Sequence, residues 1–176
     1  FNVDDVIAQL RQHGISPGVM PTSGQDPLSM AMRYWINERG QAAGGGSNGA
    51  RDLYFADIEG IHYQLSAEDH CGGGGELGNN CSNVEAATGE GLFRLLDLSH
   101  FTTFLANRDR ANEFITSTFG KEFQAYQGPG SPVVGVGDGI QFLMYVGGSQ
   151  AGQPTQAGRI DHTCFSMQDF DVDRVL

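Results

Sequence analysis

The sequence predicts an α+β protein in which a βαβββ module occurs twice, in circularly permuted order or as a window on a tandem repeat. Three observations predict it. FNVDDVI opens the chain at Phe1, and FDVDRVL returns from Phe170, with Phe, Val, Asp and Val at matching places. A period that long points to a whole-domain repeat, not a short stacking unit. From residue 98 the pattern reads β-α-β-β-β, then a further strand and a helix start. The N-terminal residues resume at that same helix and continue with strands. LSHFTTFLAN and IDHTCFSMQD, finally, align as two equivalent first strands.

Each element rests on its own pattern. In residues 2–13, Val3, Val6, Ile7 and Leu10 fall at helical spacing, and Gly14 stops the run. ISPGVM is a short extended piece, and PTSGQDP is turn-rich. Residues 29–38 read as a strand with Met30, Met32, Tyr34 and Ile36 on one side. GQAAGGGSNGA is a flexible connection. DLYFADIEGIHYQLS reads as strand, turn and strand, with the turn at Asp57 to Gly60. A Gly- and Cys-rich connection follows. LSHFTTFLA then alternates as a strand, and RDRANEFITSTFG is amphipathic, with Ala111, Phe114, Ile115 and Phe119 inward and Gly120 ending it. KEFQAYQ, SPVVGVGD and IQFLMYVG are three strand-like runs broken by Gly and Pro. RIDHTCFSM is the last strand, and QDFDVDRVL begins a helix with Asp near its N-terminus.

The expected division is 1–66 as the remainder of the second module, 67–96 as a connection and 97–148 as the first module. Residues 149–157 form a linker, and 158–176 hold the second first strand and its helix start. A chain of 176 residues suits one domain or two small modules. No apolar run has membrane-spanning length, so no membrane partner is expected. A formal net charge of -11 argues against nucleic acid, whose phosphates it repels. No signal-peptide pattern is present, though a chain opening on Phe1 is compatible with an N-terminus already removed. Cys71 and Cys81 bracket a Gly- and Asn-rich loop able to close as a disulfide, which would favour an exported protein; two free thiols in the cytoplasm are the alternative. Cys164 reads as a buried strand cysteine.

His100 and His162 stand third in the two aligned first strands. One strand histidine is ordinarily inert and hydrogen-bonded. Two at equivalent places suggest a pseudo-symmetric metal site, because imidazole nitrogens are good ligands for divalent first-row metals.

At this point the chain resembles the vicinal oxygen chelate superfamily, which contains glyoxalase I, extradiol dioxygenases and bleomycin-resistance proteins. LSHFTTFLANRDRANEFITSTFG looks like a module opening, DLYFADIEGIHYQLS like a module close, and RIDHTCFSM like the second opening. The resemblance implies paired modules forming a cupped mixed sheet with a divalent ion in the cup. It implies His100 and His162 as first-strand ligands and Gln64 as last-strand ligand, where catalytic members usually carry Glu. The place equivalent to Gln64 in the other module falls near Leu143. The ion would be Fe, Mn, Zn or Ni. Tyr54, ten residues before Gln64, stands where extradiol enzymes carry a substrate-binding tyrosine; a packing tyrosine is the alternative. His62 alternates with Gln64 and reads either as a proton carrier or as a solvent-edge histidine.

The function so implied is a metal-dependent enzyme, dioxygenase-like or glyoxalase/lyase-like, that binds a small substrate through adjacent oxygens. A metal-free small-molecule binding protein and a strand-exchanging assembly subunit are the alternatives. A homo-oligomer or a tandem-repeat neighbour is the expected partner; strand exchange predicts oligomers, and oligomerisation does not exclude the enzyme.

Overall fold

The computed structural model describes residues 2–38, 51–65 and 95–175. The Cys71–Cys81 pairing lies outside the described residues. The chain divides into two units, Phe1–Ala87 and Thr88–Leu176. Both are α+β, and each is built on a mixed sheet.

The first unit opens with helix α1, Val3–Gln12. Asn2 caps it by accepting the Asp4 N–H at 3.0 Å, and Asp4 and Asp5 lie in the first turn, where a helix dipole favours negative charge. Its buried residues are Val3, Ile7 and Leu10, the apolar stripe expected from the spacing. Strands β1 (Ser16–Pro17), β2 (Arg33–Glu38), β3 (Arg51–Ala56) and β4 (His62–Leu65) form a sheet in that order. β1 runs parallel to β2, and the other neighbours are antiparallel.

The strand expected over residues 29–38 is shorter, beginning at Arg33. Pro27 opens a 3-10 turn, Pro27–Met30, and Asp26 caps it by accepting the Leu28 N–H. Met32 then takes a left-handed φ of 56°. The chain thus bends before pairing, and the alternation of Met30 and Met32 is spent on a turn. Tyr34 and Trp35 are adjacent in β2 and both buried, so both faces of this sheet are covered at that point.

The turn between β3 and β4 is organised by one side chain. Asp57 Oδ1 accepts the backbone N–H of Glu59 and of Ile61, and Oδ2 accepts from the Tyr63 hydroxyl. Asp and Asn favour such turns because a short carboxyl or amide can reach the backbone two residues on.

The second unit holds β5 (Leu95–Leu105), α2 (Arg108–Phe119), β6 (Phe123–Tyr126), β7 (Pro132–Gly135), β8 (Phe142–Gly147), β9 (Arg159–Met167) and α3 (Val172–Val175). The sheet order is β6-β7-β8-β5-β9. β5 and β8 are parallel neighbours, and β9 pairs antiparallel with β5 on its other side. From β5 to β8 the chain is therefore one βαβββ unit whose last strand returns beside its first. α2 packs chiefly on β8 and β5. Its buried residues are Ala111, Asn112, Ile115 and Thr118, while Phe114 and Phe119 are half-buried. Asn107 caps α2 by accepting the Arg110 N–H at 3.0 Å, and Gly120 ends it at φ 60°.

β5 and β8 end against one another at Leu105 and Gly147. Gly147 has φ 119°, and a Cβ there would fall on the Leu105 carbonyl oxygen, so only glycine lets the two backbones close.

The repeated phrase at the chain ends folds the same way twice. Asp171 Oδ1 accepts the Asp173 N–H at 3.0 Å, as Asn2 accepts that of Asp4. Each cap is followed by a valine opening a helix, Val172 in α3 and Val3 in α1.

Candidate functional site

In β5, side chains alternate between two faces. Leu105 is buried and shares its side of the sheet with Tyr145 of β8, also buried. His100, Thr102 and Phe104 share the other side. There Phe142 of β8, directly opposite His100 in register, stacks on its ring at 4.3 Å and 15°. Leu143, expected near the last-strand ligand position, alternates onto the opposite side; Phe142 and Met144 flank the histidine instead.

β9 places its histidine against this face. His162 is registered opposite Thr102, and His100 opposite Cys164, with Phe101 opposite Thr163 between them. Aligning His100 with His162 makes Phe101 and Thr163 equivalent, so the strand pair is locally two-fold about that central pair. The two Nε2 atoms lie 3.3 Å apart, with the rings edge-on at 79°. Thr102, 1% exposed, brings its Oγ1 to 3.1 Å from His162 Nε2.

Each histidine follows an extra residue in the ladder. On β5 the register slips between Leu98 and His100, leaving Ser99 unpaired; on β9 it slips between His162 and Ile160, leaving Asp161 unpaired. Such bulges interrupt alternation and re-aim a side chain. Both unpaired residues turn to the neighbouring ring. Asp161 Oδ2 lies 2.8 Å from His162 Nδ1, and Ser99 Oγ lies 3.4 Å from His100 Nδ1. Burial, then the neighbouring His162, holds the His100 pKa below the usual histidine value, which keeps that ring neutral and able to offer a lone pair at neutral pH.

The donor set fits a divalent ion in part. A tetrahedral ion bound at about 2.0–2.1 Å by two imidazoles separates their nitrogens by about 3.3 Å, which is the spacing seen. The same spacing serves a hydrogen bond between the rings when no ion is bound. Among the described residues no group of three or more His, Cys, Asp or Glu side chains could hold a metal.

The remaining expected residues gather in the first unit. Tyr54 pairs with Gln64, and Ala56 with His62, across β3 and β4; Trp35 of β2 lies opposite Tyr54. Trp35 and Tyr54 stack at 5.7 Å, and His62 meets Trp35 edge-on at 5.1 Å. Gln64 Nε2 donates to the buried carboxylate of Asp52 at 3.0 Å, which orients the amide. Burial lowers the His62 pKa. Tyr54, His62 and Gln64 thus share one sheet face, away from Tyr34, whose hydroxyl accepts from Arg11 of α1. The structure forms two clusters, one in each unit: Tyr54, His62 and Gln64 in the first, His100 and His162 in the second.

Sequence reasoning missed Asp161, Ser99, Thr102 and Phe142. A signal for two of them was present, since Ser99 and Asp161 align with each other immediately before the aligned histidines. Cys164, expected to be buried, is only partly so, because β9 is an edge strand.

No protein-family model, no curated protein and no solved structure matches the chain. No described helix is long and apolar enough to cross a membrane.

Proposed function

We propose that the protein is a metal-dependent enzyme of the vicinal oxygen chelate type, with His100 and His162 as the paired first-strand ligands of a divalent ion. The observation that carries this is the convergence of the two Nε2 atoms at 3.3 Å from equivalent places on β5 and β9. The βαβββ order with parallel β5 and β8, and the local two-fold about Phe101 and Thr163, support the paired-module reading.

The reading requires a third donor. Gln64, its amide oriented by Asp52, is the residue the resemblance assigns, with Tyr54 and His62 near it on the same face. A bound ion would act as Lewis acid and template for a small substrate with adjacent oxygens. The neutral amide of Gln64 supplies less charge than a carboxylate, leaving the ion more electrophilic and less tightly held. His100 and His162 would fix the ion, and Phe142 would keep the His100 ring from turning.

Elemental analysis of protein purified without chelator or immobilised metal tests this. About one equivalent of Fe, Mn, Zn or Ni in the parent, lost in His162→Ala, is the expected result. A parent that neither carries nor takes up such an ion rules the reading out.

One observation favours a second reading, a metal-free binding face. Phe142 stands on the last strand directly beside His100, and an aromatic ring there suits stacking on an organic ligand better than ligation. A third reading, strand-exchanging assembly, draws on β9 as a sheet edge with Ile160 and Phe165 exposed.

A further inference from the structure

We propose that Asp161 is a positioning residue: from its bulge it keeps the proton of His162 on Nδ1, so that Nε2 faces His100 with its lone pair. In a regular strand, neighbouring residues point to opposite faces, and an aspartate could not serve the histidine next to it. Here the register passes from Thr102–His162 to Thr103–Ile160, and the skipped residue is Asp161. Its Oδ2 stands 2.8 Å from Nδ1.

The tautomer follows from donor and acceptor chemistry. An ionised carboxylate only accepts, so the nitrogen beside it carries the hydrogen. The other nitrogen of a neutral ring is then an acceptor, and it is the one near Thr102 Oγ1 and His100 Nε2. The Thr102 hydroxyl can donate to it. So can His100 Nε2–H, with His100 Nδ1 accepting in turn from Ser99. Every ring nitrogen of the pair thereby has a role without assuming an ion.

The two halves of the pseudo-symmetric pair are therefore unequal. At Nδ1, His162 meets a carboxylate at 2.8 Å and His100 a hydroxyl at 3.4 Å. A carboxylate behind a ligating imidazole raises its basicity and locks its orientation, and loss of such a partner typically weakens metal binding 10–100-fold. This second consequence rests on the metal reading above; the tautomer assignment does not.

The test uses the full chain with 15N-labelled histidine, metal-free, near pH 7.5. Side-chain NMR should show His162 protonated at Nδ1 in the parent and in Ser99→Ala, and shifted to the Nε2–H form or a mixture in Asp161→Ala. Asp161→Asn, whose amide oxygen still accepts, should restore much of the Nδ1–H form. Zn2+ alone, titrated into the same proteins, should bind about 10–100-fold more weakly to Asp161→Ala, with less than about a threefold change for Ser99→Ala. An Nε2–H form of His162 in the parent, or an unchanged tautomer in Asp161→Ala, overturns the proposal. Absence of Zn2+ binding by the parent overturns the metal reading instead, and the tautomer comparison then decides the role of Asp161.

Discussion

Asp57 is a residue whose chemistry the fold alters strongly. It is 1% exposed, and burial pushes its carboxyl up to about 6, against the lowering effect of the Ile61, Tyr63 and Glu59 hydrogen bonds. Because the folded value lies above the ordinary 3.8, the fold favours the protonated acid. Its stabilising contribution is complete below about pH 4 and is lost as pH rises through about 6; the gap corresponds to at most ~3 kcal/mol. Asp57→Asn keeps an acceptor for the two backbone N–H groups and carries no charge. We expect denaturant unfolding at pH 4.5 and 7.5 to show a smaller pH difference in the variant, which at pH 7.5 should be at least as stable as the parent. An unchanged pH difference would place the titration elsewhere.

At the scale of the element, helix starts are the best-specified features of this chain. Asn2, Asn107 and Asp171 each accept a first-turn N–H, satisfying donors that a helix leaves unpaired. Asn107 does more than cap. Its Nδ2 donates to Gln150 O, and it forms a bridge with Ser149, so it ties the β5–α2 corner to the segment after β8. Asn107→Ala should cost about 1–2 kcal/mol of unfolding free energy, above the ~1 kcal/mol typical of a cap alone. A cost near zero would mean that solvent replaces both contacts. The strand β9 contrasts with the helices. Its alternation was legible, but its bulge at Asp161 was not, because nothing in RIDHTCFSM marks which residue loses its partner.

For the whole molecule, each unit's sheet has two edge strands among the described residues, β1 and β4 in the first and β6 and β9 in the second. Exposed apolar side chains on β9 make its edge a site for further pairing. If such pairing occurs between chains, light scattering should give a dimer or larger species at micromolar concentration. A monomer at all concentrations would remove the assembly reading and leave the two site readings standing. Oligomerisation is compatible with the enzyme as well, so size alone does not choose between them.

The sequence by itself determined the α+β class and most of the elements. Helical spacing over residues 3–12 and 108–119, caps, Gly stops and strand alternation are local signals, and local propensity acts within a few residues. The repeated phrase and the aligned LSH and IDH tripeptides needed only comparison of the chain with itself. Only the tertiary structure decided which atoms meet. The 3.3 Å approach of His100 to His162 depends on β9 pairing antiparallel with β5 at one register, and a slip of one residue would send the histidine to the other face. The side taken by Leu143 was likewise set by pairing. Register is fixed by burial summed over the whole sheet, which no short stretch of sequence contains.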